Sequence, residues 1–303
     1  MANIYNQIDS NKLKSNIVIL GFIAFIVAAA YFMAQAFDFG LSFIGGALVV
    51  SGIMSFASYY YSDKIILSMS GARPADKRTD FHFFTVTENL VRAAQIPMPK
   101  LYVIQDSSMN AFATGRDPQH AVVCATTGLL HRLDRTELEG VIAHELSHIK
   151  NYDIRLMSVV TILIGLITLL ADWMLRMSFW GGHQSRDERS SGQIQAVFIV
   201  LGLALALLSP LIANLIKLAI SRRREYLADA SAALITRYPE GLARALEKLS
   251  LDKEPLEAAN KATAHLYITN PLHHLKGSVG LFANLFSTHP PIQDRIKALR
   301  EMN

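Results

Sequence analysis

The sequence predicts a mainly α-helical membrane protein in which four transmembrane helices are joined to a cytoplasmic α+β domain with a small β-sheet. Composition is the first reason. Of the 303 residues, 51% are hydrophobic and 18% charged, against about a quarter charged in typical soluble domains. The second reason is that the apolar residues are gathered into four long runs. The third is that the chain between and after these runs is polar and mixed, with short β-prone stretches. A formal net charge of +4 does not indicate a nucleic-acid partner, because the Lys and Arg residues sit beside the apolar runs, where they orient a chain in a bilayer. With the single cysteine Cys124 no internal disulfide forms, and a reducing compartment is compatible with that.

The first run, Ile17 to Phe37, has the length of about 20 residues that a helix needs to cross the hydrocarbon layer. It exceeds the apolar core of a signal peptide, about 7–15 residues, and lacks a small-residue cleavage site. The second, Leu41 to Tyr61, follows after a short connection and completes a hairpin. Its Ser42, Gly45, Gly46 and Gly52 are expected to let helix backbones approach closely, and Tyr59, Tyr60 and Tyr61 suit the headgroup level. Leu156 to Trp180 and Gln195 to Ile216 form a second hairpin around the polar loop Gly181 to Gly192, although Pro210 and Asn214 leave a buried soluble helix as an alternative for the last run. If all four cross, Lys12, Lys14, Lys64, Arg73, Lys77, Arg78, Lys150, Arg155, Lys217 and Arg222 to Arg224 share one side, while Arg176, Arg186 and Arg189 face the other. The positive-inside rule puts the first group, and both termini, in the cytoplasm. Four units follow: a hairpin over 1–62, a domain part over 63–153, a hairpin over 154–217 and a second domain part over 218–303.

In the polar segments Thr85 to Gln95 has helical periodicity, and Leu101 to Ile104, Ala111 to Thr114 and Ala121 to Cys124 are strand-like. Ser221 to Asn303 reads as several helices punctuated by Pro239, Pro271, Pro290 and Pro291.

Chemistry is concentrated in His144-Glu145-Leu146-Ser147-His148, an H-E-x-x-H motif. On a helix its histidines lie one turn apart on the same face, so both imidazoles can hold one zinc ion while Glu145 reaches a water. Asp134 can cap that helix with Glu137 three residues on, and Leu138, Ile142, Leu146 and Ile149 make an apolar stripe opposite the ligands. A hydrolytic zinc takes three protein ligands, and the best third is Glu225. Asp229, one turn further, can then hydrogen-bond a ligand histidine from behind. The same run also reads as a surface helix laced with Arg–Glu pairs. Two apolar runs separate His148 from Glu225, and an even number of crossings returns the chain to its original side, so the ligands can meet. His289, stiffened by Pro290 and Pro291, is the candidate donor to a developing oxyanion.

The stretch Asn110 to Gly115, the motif from His144 to Asp153, the Arg223 to Ala230 run and Ser287 to Pro291 resemble the HtpX-type membrane zinc metalloproteases, which are similar to the endopeptidases that process CAAX prenyl proteins. The resemblance covers nearly the whole chain. It implies a zincin-like catalytic domain with Zn2+ as cofactor, His144, His148 and Glu225 as ligands, Glu145 as base, Asp229 behind a ligand and His289 as stabiliser. It also implies an edge strand, Asn110, Ala111, Phe112 and Ala113, along which an extended substrate lies by main-chain hydrogen bonds. The implied setting is the bacterial cytoplasmic (inner) membrane, multi-pass and with the site facing the cytoplasm. Misfolded or membrane proteins are the implied substrates, in a quality-control or stress role.

Two other functions fit less well. A catalytically silent zinc-binding scaffold would carry a closed site of four protein ligands and no positioned base. A transporter needs polar residues within its spans, and these offer little beyond Asn214 and Asp172. His82, His120, His131, His183, His265, His273 and His274 lack ligand spacing to a carboxylate, and Cys124 reads as a small buried strand residue rather than a nucleophile.

Overall fold

The opening residues form helix α1, Ile4–Phe37, because the run contains no proline and one glycine, Gly21. Its 34 residues span about 50 Å at 1.5 Å per residue, well beyond the ~30 Å of a bilayer's hydrocarbon core. One end of α1 must therefore extend into another environment. The structure is a computed structural model and describes residues 4–37, 40–163, 165–166, 222–252, 254–256, 263, 266–269 and 290–302. The expected second hairpin beyond residue 166, its loop, and His183, His265, His273, His274 and His289 lie outside the described residues.

Helix α2, Leu41–Tyr60, packs along α1. Among the described residues, a Cβ at Gly45, Gly46 or Gly52 would meet nothing within 4 Å. Serines occupy the inner face instead. Ser51, Ser55 and Ser58, spaced three and four apart, are buried, and Ser51 and Ser58 donate to the carbonyls of Leu48 and Ser55. Leu13, Ile17 and Leu20 of α1 and Leu48, Val49, Ile53 and Phe56 of α2 point outward, an apolar surface that water would not tolerate over such a length. Among the described residues, α1 contains a window long and apolar enough to cross a membrane, Ile8–Ala28, and α2 reaches that length only with α3, Ser62–Met69, from which it is bent by 79°. At that bend Arg155, Arg116 and Lys64 lie over the rings of Tyr59, Tyr60 and Tyr61 at 4.9, 5.2 and 5.3 Å.

A four-stranded mixed sheet follows in the order β1-β2-β4-β3, built from β1 Arg73–Pro74, β2 Lys100–Ile104, β3 Ala111–Gly115 and β4 Ala121–Thr126. β2 and β4 are parallel, whereas β1 and β3 run antiparallel to their neighbours, which leaves β3 at an edge. The three strand-like runs of the sequence are thus strands, each extended by one or two residues. Side chains alternate across the sheet. Leu101, Val103, Ala111, Ala113, Val123 and Ala125 join one core with α4, Phe81–Ala94, and Leu129 of α5, Thr127–Arg132. Ile104, Phe112, Val122 and Cys124 join another with Val18 and Phe22 of α1 and with Leu156, Val159 and Val160 of a helical run over 153–163. Covered on both faces, β3 and β4 read as unbroken buried strands. Burial also raises the Cys124 thiol, in keeping with an inert strand residue.

Helix α6, Arg135–Lys150, begins with the expected capping box: Asp134 accepts from the Glu137 amide and Glu137 from that of Asp134. The stripe Leu138, Ile142, Leu146 and Ile149 is buried, but so are Val141, His144, Glu145, Ser147 and His148. Instead of one apolar and one open face, α6 is a central helix, packed by α4, β3, β4, α7 (Arg222–Thr236) and α8 (Pro239–Leu251). The last described helix is α9, Ile292–Arg300.

Where α6 crosses α8 both helices carry glycine. A Cβ at Gly140 would stand 2.6 Å from the Leu242 amide nitrogen, and one at Gly241 would stand 2.6 Å from the Thr136 carbonyl oxygen. Ala gains about 1 kcal/mol over Gly in a helix interior, but overpacking a fixed backbone costs about 1–3 kcal/mol. Gly140→Ala is expected to lower the melting temperature of the purified protein, and an unchanged or raised value would show that this crossing has slack.

Candidate metal centre

Helix α6 supplies His144 and His148 one turn apart, and α7 crosses it with Glu225 facing them. The two Nε2 atoms are 3.2 Å apart, and Glu225 Oε2 and Oε1 lie 3.8 Å from His144 Nε2 and 3.6 Å from His148 Nε2. Two nitrogens bound tetrahedrally to zinc at about 2.0–2.1 Å would be about 3.3 Å apart. One atom from each residue, all within 4.8 Å of one another and all buried, makes a set fit for a metal ion.

Each imidazole is fixed from behind. His144 Nδ1 lies 2.9 Å from Asp229 Oδ1, and His148 Nδ1 lies 3.0 Å from Asp153 Oδ2. A carboxylate there holds the proton on Nδ1, leaving the Nε2 lone pair for a cation. Asp229 stands where the sequence reading put it. Asp153 was not picked out, although it lies only five residues beyond His148. The reason is the turn: α6 ends at Lys150, and Tyr152 adopts a left-handed φ of 58° that swings Asp153 back toward the helix.

Arg295 of α9 is the other group that sequence reasoning missed. It is fully buried, and its Nε and Nη2 reach the two oxygens of Asp229 at 2.9 and 2.7 Å, with Nη1 3.7 Å from Glu225. The signal was present in the pattern, since Ile292, Ile296 and Leu299 form a helical stripe and Arg295 falls within it. A charge on an apolar stripe asks for a buried partner.

Glu145 is buried beside the pair, with the Ala113 backbone near enough to favour its charged form. Burial, aided by Glu225, raises its carboxyl to about 7 against the opposing pull of His148, Arg295 and that backbone. Burial alone would lower His148, but Asp153 and Glu225 carry it to about 9, while burial and Arg295 hold His144 below its usual value. Both directions describe the protein without an ion. With both imidazoles neutral, as metal ligands must be, buried Glu145, Asp153, Glu225 and Asp229 oppose buried Arg224 and Arg295, so four negative charges less two positive leave two negative; without an ion, a proton on His148 offsets part of that excess. A divalent cation would cancel the excess, and buried charges without such compensation are costly.

The sequence-predicted substrate residues Asn110, Ala111, Phe112 and Ala113 lie on or just before edge strand β3 and are buried. Part of the outer edge is already paired within the chain. Ala111 accepts from the Ile268 amide at 3.0 Å, and the Asn110 side chain donates to the Thr269 carbonyl at 3.1 Å. Tyr267 stands edge-on to Phe112, centroids 5.1 Å apart. His82, His120 and His131 are exposed and away from the cluster.

Residues 77–303, three-quarters of the chain, match Peptidase family M48. The chain belongs to this peptidase family. Its M48 relatives include a "Protease HtpX homolog" of Dictyoglomus thermophilum, 47% identical over 98% of this chain and 94% of the relative. Another, from Streptococcus uberis, is 43% identical over 99% and 100%. The crystal structure of S. mikatae Ste24p aligns with a TM-score of 0.47 and 20% identity, covering 97% of this chain and 67% of that one. Within the M48 match fall His144, Glu145, His148, Asp153, Glu225, Asp229 and Arg295, whereas α1 and α2 precede it.

Proposed function

We propose that this chain is a membrane-bound zinc endopeptidase that hydrolyses peptide bonds of misfolded or membrane proteins at the cytoplasmic face of the bacterial inner membrane. The observation that carries the reading is the convergence of His144, His148 and Glu225 in one buried cluster rich in carboxylates. The names of the relatives support the protease, and the HtpX-type resemblance supports its quality-control setting. The outward apolar side chains of α1 and α2 support the membrane.

His144, His148 and Glu225 would hold the ion, whose chemistry is to bring the pKa of a water to about 7 and to polarise the scissile carbonyl. Glu145, raised to about 7 by burial, accepts the proton of the attacking water and returns it to the leaving amine, completing hydrolysis. Asp153 and Asp229 keep the imidazole protons on Nδ1, and Arg295 holds Asp229 in place. His289, six residues before Arg295, is the proposed donor to the oxyanion. An extended substrate lies along β3, where it starts beyond the Ile268 contact or displaces residues 266–269. The catalytic unit in this reading combines 63–153 with 218–303, and the apolar runs over 1–62 and 154–217 anchor it.

Removing the metal tests this reading. Treatment with a chelator is expected to abolish cleavage of an unfolded model substrate, and stoichiometric zinc to restore it. Cleavage that persists in protein shown by elemental analysis to be metal-free would refute it. A silent scaffold is disfavoured by the buried, proton-competent Glu145, which a closed structural site does not need.

A further inference from the structure

The N-terminal part of α1 reaches the residues behind the candidate metal site. Asn11 is buried, and its side-chain amide makes three hydrogen bonds there. Nδ2 donates to Asp153 Oδ1 at 2.8 Å and to the Asn151 carbonyl at 2.9 Å, and Oδ1 accepts from Arg224 Nη1 at 3.2 Å. The chemistry fixes which way the amide points, since the reverse orientation would set its oxygen against a carboxylate and a carbonyl and its NH2 against a guanidinium. Asp153 is then shared: Oδ1 faces Asn11 and Arg224, while Oδ2 faces His148 Nδ1. Nearby, Lys12 lies 4.5 Å over the Tyr152 ring, so the same turn of α1 also covers the bend that returns Asp153 to the helix.

We propose that Asn11 is a positioning residue of the metal site: it orients Asp153, which orients His148, and so makes metal affinity depend on the docking of the first apolar helix. The inference rests on the metal-site reading above. Asn11 touches neither ion nor substrate. Its effect passes through one carboxylate, so a two-residue test isolates it. Lost partners behind a ligand histidine typically weaken metal binding about 10–100-fold. The amide matters because it donates twice and accepts once. A carboxylate of the same size would repel Asp153 and Asn151, and an alanine would leave Asp153 Oδ1 without the shortest of its bonds.

The experiment measures zinc affinity by competition with a chromogenic chelator on the full-length detergent-solubilised protein, together with the visible absorption of the cobalt-substituted form. Asn11→Ala and Asn11→Asp are expected to weaken zinc about 10-fold or more and to alter the cobalt spectrum. In an Asp153→Asn background, Asn11→Ala should add little, because the two residues act as one unit. Leu13→Ala, exposed on the same helix, should bind zinc as the parent does. Melting temperatures of the metal-free variants separate positioning from folding: a lowered Tm with parental zinc affinity and cobalt spectrum overturns the proposal. Equal, additive losses in both backgrounds overturn it too. His148→Ala serves as reference. If it binds zinc as tightly as the parent, the metal-site reading itself fails; if it loses zinc while Asn11→Ala does not, only the role of Asn11 falls.

Discussion

Converting Glu145 to Gln is expected to lower peptide hydrolysis by about a hundred- to ten-thousand-fold, the usual worth of a positioned acid–base group, while the protein still takes up zinc. The size of the effect follows from placement. Glu145 is enclosed with the ligand pair yet contributes no donor to the three-residue ligand set. Gln keeps the shape, but it cannot hold a proton between steps. The loss should fall on kcat with KM little changed, because the group works only as bonds are made and broken. Metal content by elemental analysis and turnover of an unfolded substrate are the two measurements. Parental turnover in Glu145→Gln would remove the carboxylate from the mechanism, and loss of zinc along with turnover would make it a ligand instead.

Arg295→Leu should be the most damaging change to the fold. It leaves Asp229 and Glu225 buried without their guanidinium, and stripping one partner from a buried pair costs about 3–5 kcal/mol, out of a typical total of about 5–15 kcal/mol. Arg295→Lys should recover only part, since Nε and Nη2 address the two oxygens of Asp229 at once and an ammonium cannot reproduce that fork. The loss should also depend on metal. Without Arg295 the cluster loses one positive charge, and a bound dication offsets that loss, which the chelator-treated protein must bear alone. Thermal unfolding with zinc and with chelator checks this. A variant that melts at the parental temperature in chelator would show that the buried charges find compensation elsewhere.

How much of this was legible in the sequence depended on how local each signal was. The capping box of α6, the strands around Leu101, Ala111 and Ala121, and the pairing of His144 with His148 are set by neighbours a few residues apart, and the structure has each of them. Glu225 and Asp229 were singled out because a hydrolytic zinc needs a third ligand, and the structure sets both carboxylates beside the histidines. Groups joined only by tertiary approach stayed hidden. Asn11 meets Asp153 across 142 positions, and Arg295 meets Asp229 across 66, with no periodicity linking either pair. The serines of α2 stayed hidden for a related reason: glycine drew attention in the sequence, yet among the described residues serines hold the buried face, and a face is fixed by what lies opposite it. The all-round burial of α6 was equally invisible, because four apolar residues at helical spacing describe one face of a helix and say nothing about partners that cover the polar side.

The nearness of the Ala113 backbone to Glu145 gives the edge strand a second bearing on the site. In the reading proposed above, the strand that pairs with a peptide also borders the group that would ferry the proton, so shifting it would alter grip and chemistry together. Loosening the handhold for a new class of polypeptide would then also disturb the basicity of the carboxylate beneath it.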